Sequence, residues 1–317
     1  TEVIDSPIGE IDLEDLIPEE DVVVQITNRG IVKRLPVAAF RRQSRGGRGS
    51  TVKVAGNDFV RHLFISSTHH HILFVTDTGK AYWVKVHELP DRTRSAIGQD
   101  LRSLLGMTEE EKVTAVASLT NFSPETYLFM ATEKGVVKKV RTSDFTYAKT
   151  RGIVAINLDS ADRLVAAMLT DGSRDVVLGT KLGFALRFSE YGARAMGRAS
   201  RGVIGIRLRP NDSVVGALAV DHEQRMFMIS RNGYGKRIAF SSFTPHGRGT
   251  RGQISYKLNE KTGEIAGLTS TSSDDDVVCI TEQGKVIKVT ARDVPIQGRS
   301  SSGVRVVRID PEHPVAA

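Results

Sequence analysis

Two glycines at near-fixed spacing recur six times along this chain and restrict its fold more than any other feature. The first glycine closes a short polar turn between two β-rich runs. The runs Val22–Thr27, Ile72–Thr76, Tyr127–Thr132, Val176–Thr180, Met226–Ser230 and Val277–Thr281 lead to Gly30, Gly79, Gly135, Gly183, Gly233 and Gly284, spaced 49, 56, 48, 50 and 51 residues apart. Each stands where a hairpin needs positive φ, which glycine adopts without steric cost. The run after the turn often carries bases before a closing hydrophobe, as in Lys33-Arg34-Leu35, Lys138-Lys139-Val140, Lys236-Arg237-Ile238 and Lys288-Val289. A second glycine follows 19 residues after the first in five copies and 17 in the third, giving Gly49, Gly98, Gly152, Gly202, Gly252 and Gly303. Beyond it lie an extended run, apolar at the sixth position in Leu104, Leu158, Leu208, Leu258 and Ile309, and a further apolar stretch such as Leu164–Leu169 or Val214–Ala219.

Each unit therefore supplies about four strands and almost no helical periodicity. Such units solve the exposed-edge problem by packing face to face around an axis. The predicted fold is all-β, a six-bladed β-pinwheel or propeller-like ring of four-stranded blades. The predicted repeats run roughly 21–58, 59–112, 113–162, 163–212, 213–264 and 265–317, after an acidic linker or leading segment over 1–20.

With 40% hydrophobic and 26% charged residues among 317, the chain can bury a large core, which excludes disorder throughout. The single cysteine, Cys279, sits in the apolar run Val277–Ile280, so no disulfide framework exists and the thiol reads as a small buried hydrophobe. No apolar stretch is long enough to span a bilayer and no export leader is present, so a cytoplasmic location is expected. The chain starts at Thr1 without Met, which predicts a segment of a longer protein. Net charge is +7, but the first twenty residues hold eight acids and no base, leaving 44 basic against 29 acidic residues beyond them, a net +15. That asymmetry points to a polyanionic partner for the body of the chain.

The bases gather before the second glycine. The first copy reads Gln43-Ser44-Arg45-Gly46-Gly47-Arg48-Gly49, in which guanidinium forks and unshielded backbone N–H groups can meet phosphate together. The other copies give Arg92 and Arg94 before Gly98, Lys149 and Arg151 before Gly152, Arg198 and Arg201 before Gly202, Arg248 and Arg251 before Gly252, and Arg299 before Gly303. Any one such loop could be a plain solvated loop of a basic protein, but six in register form a belt around the rim. A belt of this kind fits a duplex bent around a disc. Aromatics are scarce and fall inside strand patterns such as Tyr82-Trp83-Val84, and no recognition helix is present. Backbone contact with bending is the remaining mode of binding.

The seven-residue box, the acidic Glu14-Asp15-Leu16-Ile17-Pro18-Glu19-Glu20-Asp21 and the six repeats together resemble the C-terminal domain family of the DNA gyrase A subunit, within the type IIA topoisomerases. The family signature is Gln-basic-Arg-Gly-Gly-basic-Gly. The resemblance implies a six-bladed β-pinwheel whose neighbouring blades exchange strands, and a role in wrapping double-stranded DNA with positive handedness. The wrap would serve introduction of negative supercoils by a holoenzyme of two A and two B subunits, the partners being the gyrase A N-terminal catalytic core and the gyrase B subunit. Elsewhere in that assembly ATP and magnesium would be used, with no cofactor in this domain. The expected DNA-binding residues are the box (Gln43, Ser44, Arg45, Gly46, Gly47, Arg48, Gly49) and, on the rim, Arg41, Arg42, Arg92, Arg94, Lys149, Arg151, Arg198, Arg201, Arg248, Arg251 and Arg299. Ser44 departs from the signature base, and Arg41 and Arg42 stand just upstream to replace its charge.

Other motifs carry less. Gly247-Arg248-Gly249-Thr250-Arg251-Gly252 has dinucleotide spacing but opens no predicted helix. His69-His70-His71 alternate faces and suit a turn or edge better than a metal, and Asp274-Asp275-Asp276 lacks calcium-loop spacing. There is no Gly-x-x-x-x-Gly-Lys-Ser/Thr loop and no catalytic constellation, so neither an active site nor a metal site is expected. Three rival readings stand: the related topoisomerase IV domain, a protein-recognition propeller, and a propeller enzyme. Six units and a largely intact box weigh against the first, bases in every rim loop against the second, and the lack of converging acids or metal ligands against the third.

Overall fold

Threonine or serine ends the first run of every hairpin, and the reason lies in the turn. In this computed structural model, which describes residues 16–39, 58, 60–93, 95–149, 151–282, 286–309 and 312–316, that side chain accepts a hydrogen bond from the residue after the turn glycine in the first five hairpins. Ile31 N donates to Thr27 Oγ1 at 3.0 Å, Val136 N to Thr132 Oγ1 at 3.1 Å and Tyr234 N to Ser230 Oγ at 3.2 Å. The turn glycine donates its own N–H to the same residue's carbonyl, as Gly30 does to Thr27 and Gly135 to Thr132, both at 3.0 Å. Gly30, Gly79, Gly135, Gly183 and Gly233 all take φ between 78° and 85°. The register also slips at this hydroxyl residue or its neighbour in each of the five strand pairs, a bulge that strengthens the local twist.

The first hairpin joins β1 (Asp21–Thr27) to β2 (Ile31–Pro36), and β3 (Val60–Ser67) lies against β1. The second unit contributes β4 (His71–Thr76), β5 (Lys80–Lys85), the two-residue β6 (Gln99–Asp100), a single helical turn α1 (Leu101–Leu105) and β7 (Val113–Leu119). The third has β8 (Tyr127–Thr132), β9 (Val136–Arg141), β10 (Ile153–Val154) and β11 (Leu164–Thr170). The fourth has β12 (Asp175–Thr180), β13 (Phe184–Ser189), β14 (Val203–Ile204) and β15 (Val214–Ala219). The fifth has β16 (Arg225–Ser230), β17 (Tyr234–Ala239), β18 (Gln253–Ile254) and β19 (Ile265–Thr271), and the sixth β20 (Asp276–Ile280), β21 (Val286–Thr290) and β22 (Val304–Arg305).

The sheet orders are β3-β1-β2-β6, β7-β4-β5-β10, β11-β8-β9-β14, β15-β12-β13-β18 and β19-β16-β17-β22. The outermost strand of each blade therefore comes from the next repeat, immediately after its second glycine. The pairing obeys one rule: Ile31 faces Asp100, Lys80 faces Val154, Val136 faces Ile204, Phe184 faces Ile254 and Tyr234 faces Arg305. Neighbouring blades exchange strands, as the resemblance implies. The innermost strands β7, β11, β15 and β19 are successive neighbours at the centre.

The expected six four-stranded blades are corrected in one respect: five sheets have four strands, and among the described residues β20 and β21 form a two-stranded sixth. By its position in the repeat, the sequence counterpart of the outer strand is the segment following Gly49, which lies outside the described residues. The counterpart of β19 is represented by the single antiparallel bridge Thr281–Val315.

Apolar residues from facing blades mix in each core. Phe129 and Ala131 of β8 pack with Leu178 of β12 and with Leu186 and Phe188 of β13, and the Phe129 and Phe188 rings stand 6.4 Å apart. Burying one such side chain contributes about 1.5–3 kcal/mol, so blade-to-blade contact is the main source of cohesion. The histidine run sits at the turn into β4, as expected. His69 Nε2 lies 2.8 Å from Ile17 O, and His71 packs edge-on against Trp83 and Phe122. Cys279 is buried, which pushes its thiol up to about 11. No described helix is long and apolar enough to cross a membrane.

Candidate nucleic-acid interface

From the second repeat to the sixth, the basic loops lie at the outer edge of the blades because each leads straight into an outermost strand. In the second, fourth, fifth and sixth repeats the loop is a tight turn from five to two residues before the second glycine. Ala96 N donates to Thr93 O at 3.3 Å, Ser200 N to Gly197 O at 3.2 Å and Ser301 N to Gly298 O at 3.3 Å, while Thr250 Oγ1 donates to Gly247 O at 3.3 Å. The second glycine lets the loop lie on the hairpin of the preceding repeat. A Cβ on Gly202 would stand 2.5 Å from Val137 O, one on Gly252 2.6 Å from Ala185 O, and one on Gly98 2.2 Å from Val32 O. No side chain fits there.

This geometry gives the bases a register that their loose clustering conceals. Arg198, Arg248 and Arg299 all stand four residues before the glycine, at the tip of the turn, and Arg151, Arg201 and Arg251 stand one before it. Arg248 and Arg299 lean back over the preceding repeat. Arg248 donates from Nη1 to Ile204 O at 3.0 Å and from Nε to Gly192 O, and Arg299 Nη1 donates to Ile254 O at 3.3 Å, which leaves the remaining guanidinium N–H groups for a ligand. Arg92 is exposed and its Nη1 donates to Asp91 O at 3.0 Å. Arg151 and Arg251 are exposed, and neither side chain has a hydrogen bond or ion pair among the described residues. Lys149 and Arg201 are partly neutralised, by Glu88 at 2.7 Å and Asp159 at 3.0 Å, and Lys149 also lies over the Trp83 ring at 5.5 Å. Such exposed pairs are weak enough for a phosphate to displace the acid.

Gln43, Ser44, Arg45, Gly46, Gly47, Arg48 and Gly49, with Arg41, Arg42 and Arg94, lie outside the described residues. By spacing, Arg45 and Arg48 occupy the same two positions as the arginine pairs of the fourth and fifth repeats.

Three further bases belong with this belt. Arg207, Lys257 and Arg308 stand five residues after the second glycine of their repeats, all exposed. Arg207 N donates to Thr250 O at 2.9 Å and Lys257 N to Ser301 O at 3.1 Å, so each stands beside the turn of the following repeat. Their constant offset is visible in the sequence, but the expected rim bases all precede the glycine. No group of three potential metal ligands occurs among the described residues.

Known proteins share this arrangement. A model of the family described as DNA gyrase C-terminal domain, beta-propeller, matches residues 21–67, 70–120, 126–171, 174–221, 224–272 and 275–317. The chain is 51% identical over 312 residues to the DNA gyrase A subunit of Treponema pallidum (strain Nichols), covering 98% of this chain and 38% of that protein. It is 47% identical over 297 residues to the DNA gyrase A subunit of Halalkalibacterium halodurans, covering 93% of this chain and 36% of that protein. The chain thus spans less than two fifths of the length of these relatives. Among solved structures, a DNA gyrase A C-terminal domain aligns with a TM-score of 0.73 at 26% identity, covering 94% of this chain and 98% of that one. The C-terminal domain of a DNA topoisomerase IV aligns with a TM-score of 0.81 at 24% identity, covering 95% and 93%, a likeness of fold. Six matched segments, each opening at or just before one of the hairpins built above, place the chain in the DNA gyrase C-terminal domain family.

Proposed function

We propose that this chain is the DNA-wrapping accessory domain of a gyrase A subunit, binding double-stranded DNA around a complete ring of six blades. The observation that carries the reading is the register of arginines at the tip and the end of successive rim turns, on loops that, among the described residues, lead into outermost strands. Side chains at equivalent points of a ring meet a duplex at successive places only when it curves with the ring, so phosphate contact and bending go together. The contacts comprise the box Gln43 to Gly49 with Arg41 and Arg42, and the rim residues Arg92, Arg94, Lys149, Arg151, Arg198, Arg201, Arg248, Arg251 and Arg299. Wrapping with positive handedness would present a crossing to the catalytic core of the same polypeptide. The holoenzyme with gyrase B would convert it to negative supercoils using ATP and magnesium bound elsewhere, in the bacterial cytoplasm.

The test is a salt series on linear duplex combined with closure of nicked circles. Steep loss of binding with salt and a positive linking shift are expected, both abolished by Arg45→Ala with Arg48→Ala in a folded domain. Binding without a linking shift would refute wrapping, and no binding would favour a protein-recognition propeller.

A further inference from the structure

Three lysines stand three residues after a hairpin glycine: Lys33 after Gly30, Lys138 after Gly135 and Lys236 after Gly233. All three are buried, with 2%, 0% and 0% exposure. An ammonium is rarely taken out of water without partners that recover its hydration. Here those partners are carbonyl oxygens, in each case including two or more from the next repeat's rim turn. Lys236 Nζ donates to Gly298 O and Arg299 O at 2.8 Å and to Ser301 O at 2.9 Å. Lys138 Nζ donates to Ser200 O at 3.0 Å, to Arg198 O, and to Ala155 O at 2.7 Å. Lys33 Nζ donates to Thr93 O at 3.3 Å and Ala96 O at 2.9 Å.

The match between the three sites is close. The carbonyl two residues before the second glycine is bound in all of them, and in the fourth and sixth repeats so is the carbonyl of the tip arginine itself. Burial drives Lys138 and Lys236 down to about 8, with Arg198 lowering Lys138 further and Asp144 opposing, so both remain largely charged at neutral pH.

The remaining repeats are built differently. The same position holds Tyr82, Leu186 and Ile287. The turn of the third repeat rests on an aromatic ring, since a Cβ on Gly152 would stand 2.4 Å from Tyr82, and Tyr82 Oη donates to Glu111 Oε2 at 2.9 Å. Turns of the second, fourth and sixth repeats are closed on an ammonium. Those of the third and fifth rest on Tyr82 and on the Ala185–Leu186 backbone.

A turn whose carbonyls converge beneath it would present negative partial charge close to any bound phosphate. A buried ammonium cancels that charge and fixes the turn in one shape. We propose that Lys33, Lys138 and Lys236 are positioning residues for DNA, each shaping the rim turn of the following repeat and adding fixed positive charge beneath it. The proposal rests on the DNA-binding reading above.

The test compares Lys138→Met, Lys236→Met and their combination with wild type in the intact protein, measuring binding to linear duplex from low to high salt. Each phosphate contact contributes about 0.9 to the slope of log K against log salt. Each single variant is expected to lower the slope by about 1–2 and the pair by about the sum, while Leu186→Met, at the matching position without an ammonium, leaves it unchanged. Loss of folded protein alone lowers the active fraction without changing the slope, so an unchanged slope in the lysine variants overturns the proposal. Should the methionine variants fail to fold, Lys138→Gln keeps neutral donors beneath the turn and is expected to show the same fall in slope. An unchanged slope there would equally refute the role. A wild-type protein without salt-dependent binding would instead refute the DNA-binding reading itself.

Discussion

Removing the Glu190 carboxylate should destabilise the domain more than most surface changes, by an amount the surroundings define. Glu190 is fully buried in the 3-10 turn after β13. Its carboxylate accepts from Thr170 Oγ1 at 2.7 Å and Arg174 N at 2.8 Å and lies 3.5 Å from Lys139 Nζ. Lys139 is itself only 7% exposed, donates to Glu190 O at 3.2 Å and lies over the Tyr127 ring at 5.0 Å. Glu190→Ala strands a buried ammonium and two donors, and breaking such a pair costs about 3–5 kcal/mol. Glu190→Gln keeps the shape and one of the two acceptor oxygens but removes the charge and sets an amide NH2 where the other oxygen accepted, for about 1–3 kcal/mol. Lys139→Met combined with Glu190→Leu removes both charges and leaves only the Thr170 and Arg174 donors unpaired, so it should cost less than Glu190→Ala, because no unpaired ammonium stays buried. Urea unfolding followed by far-ultraviolet circular dichroism, at constant slope, supplies the three values. Glu190→Ala costing under about 1 kcal/mol, or a double variant as unstable as Glu190→Ala, would refute the reasoning.

Gly202→Ala should cost about 2 kcal/mol or more in thermal unfolding, since φ is 93° and the new Cβ would meet Val137 O at 2.5 Å. Gly197→Ala in the same loop should be nearly neutral, because nothing lies within 4 Å of its Cβ. Cys279 should resist thiol reagents at neutral pH until the domain unfolds, as its thiol is buried and pushed up to about 11. Burial, reinforced by Arg61, depresses His62 to about 4. The unfolded chain then binds a proton near the ordinary value of about 6.5 while the folded one does not, so stability should fall as pH drops from about 6.5 towards 4. His62→Gln should flatten that part of the profile in pH-dependent unfolding.

Much of this architecture is legible in the sequence alone, because glycine and the hydroxyl residue before the turn do geometric work that few other residues can do. Thr27, Thr132 and Ser230 mark the strand end and turn glycines such as Gly135 mark positive φ, so hairpins and period can be read directly. The exchanged strands are harder. Val203–Ile204 is two residues long, too short for a period, and its partner Val136–Val137 lies in the previous repeat. The buried lysines are illegible for another reason. Lys138 and Lys139 read as solvent-facing bases of a half-exposed strand, yet alternate neighbours face opposite sides, and here both sides are packed. The rim bases are recognisable as a class, but their separation into tip and end positions needs the turn, and Glu88 opposite Lys149 lies 61 residues away.

The exchange of outer strands also bears on how such a chain can change length over time. Because the residue after the hairpin glycine meets the residue two beyond the second glycine of the next repeat in all five described junctions, those junctions share one form. Excising or duplicating one period of roughly fifty residues would recreate an equivalent junction at the scar, with no new interface to invent. A deletion out of phase would do the opposite, leaving one sheet short of a strand and the next with a surplus. Lineages carrying this architecture are thus free to count in whole blades and barred from fractions of one.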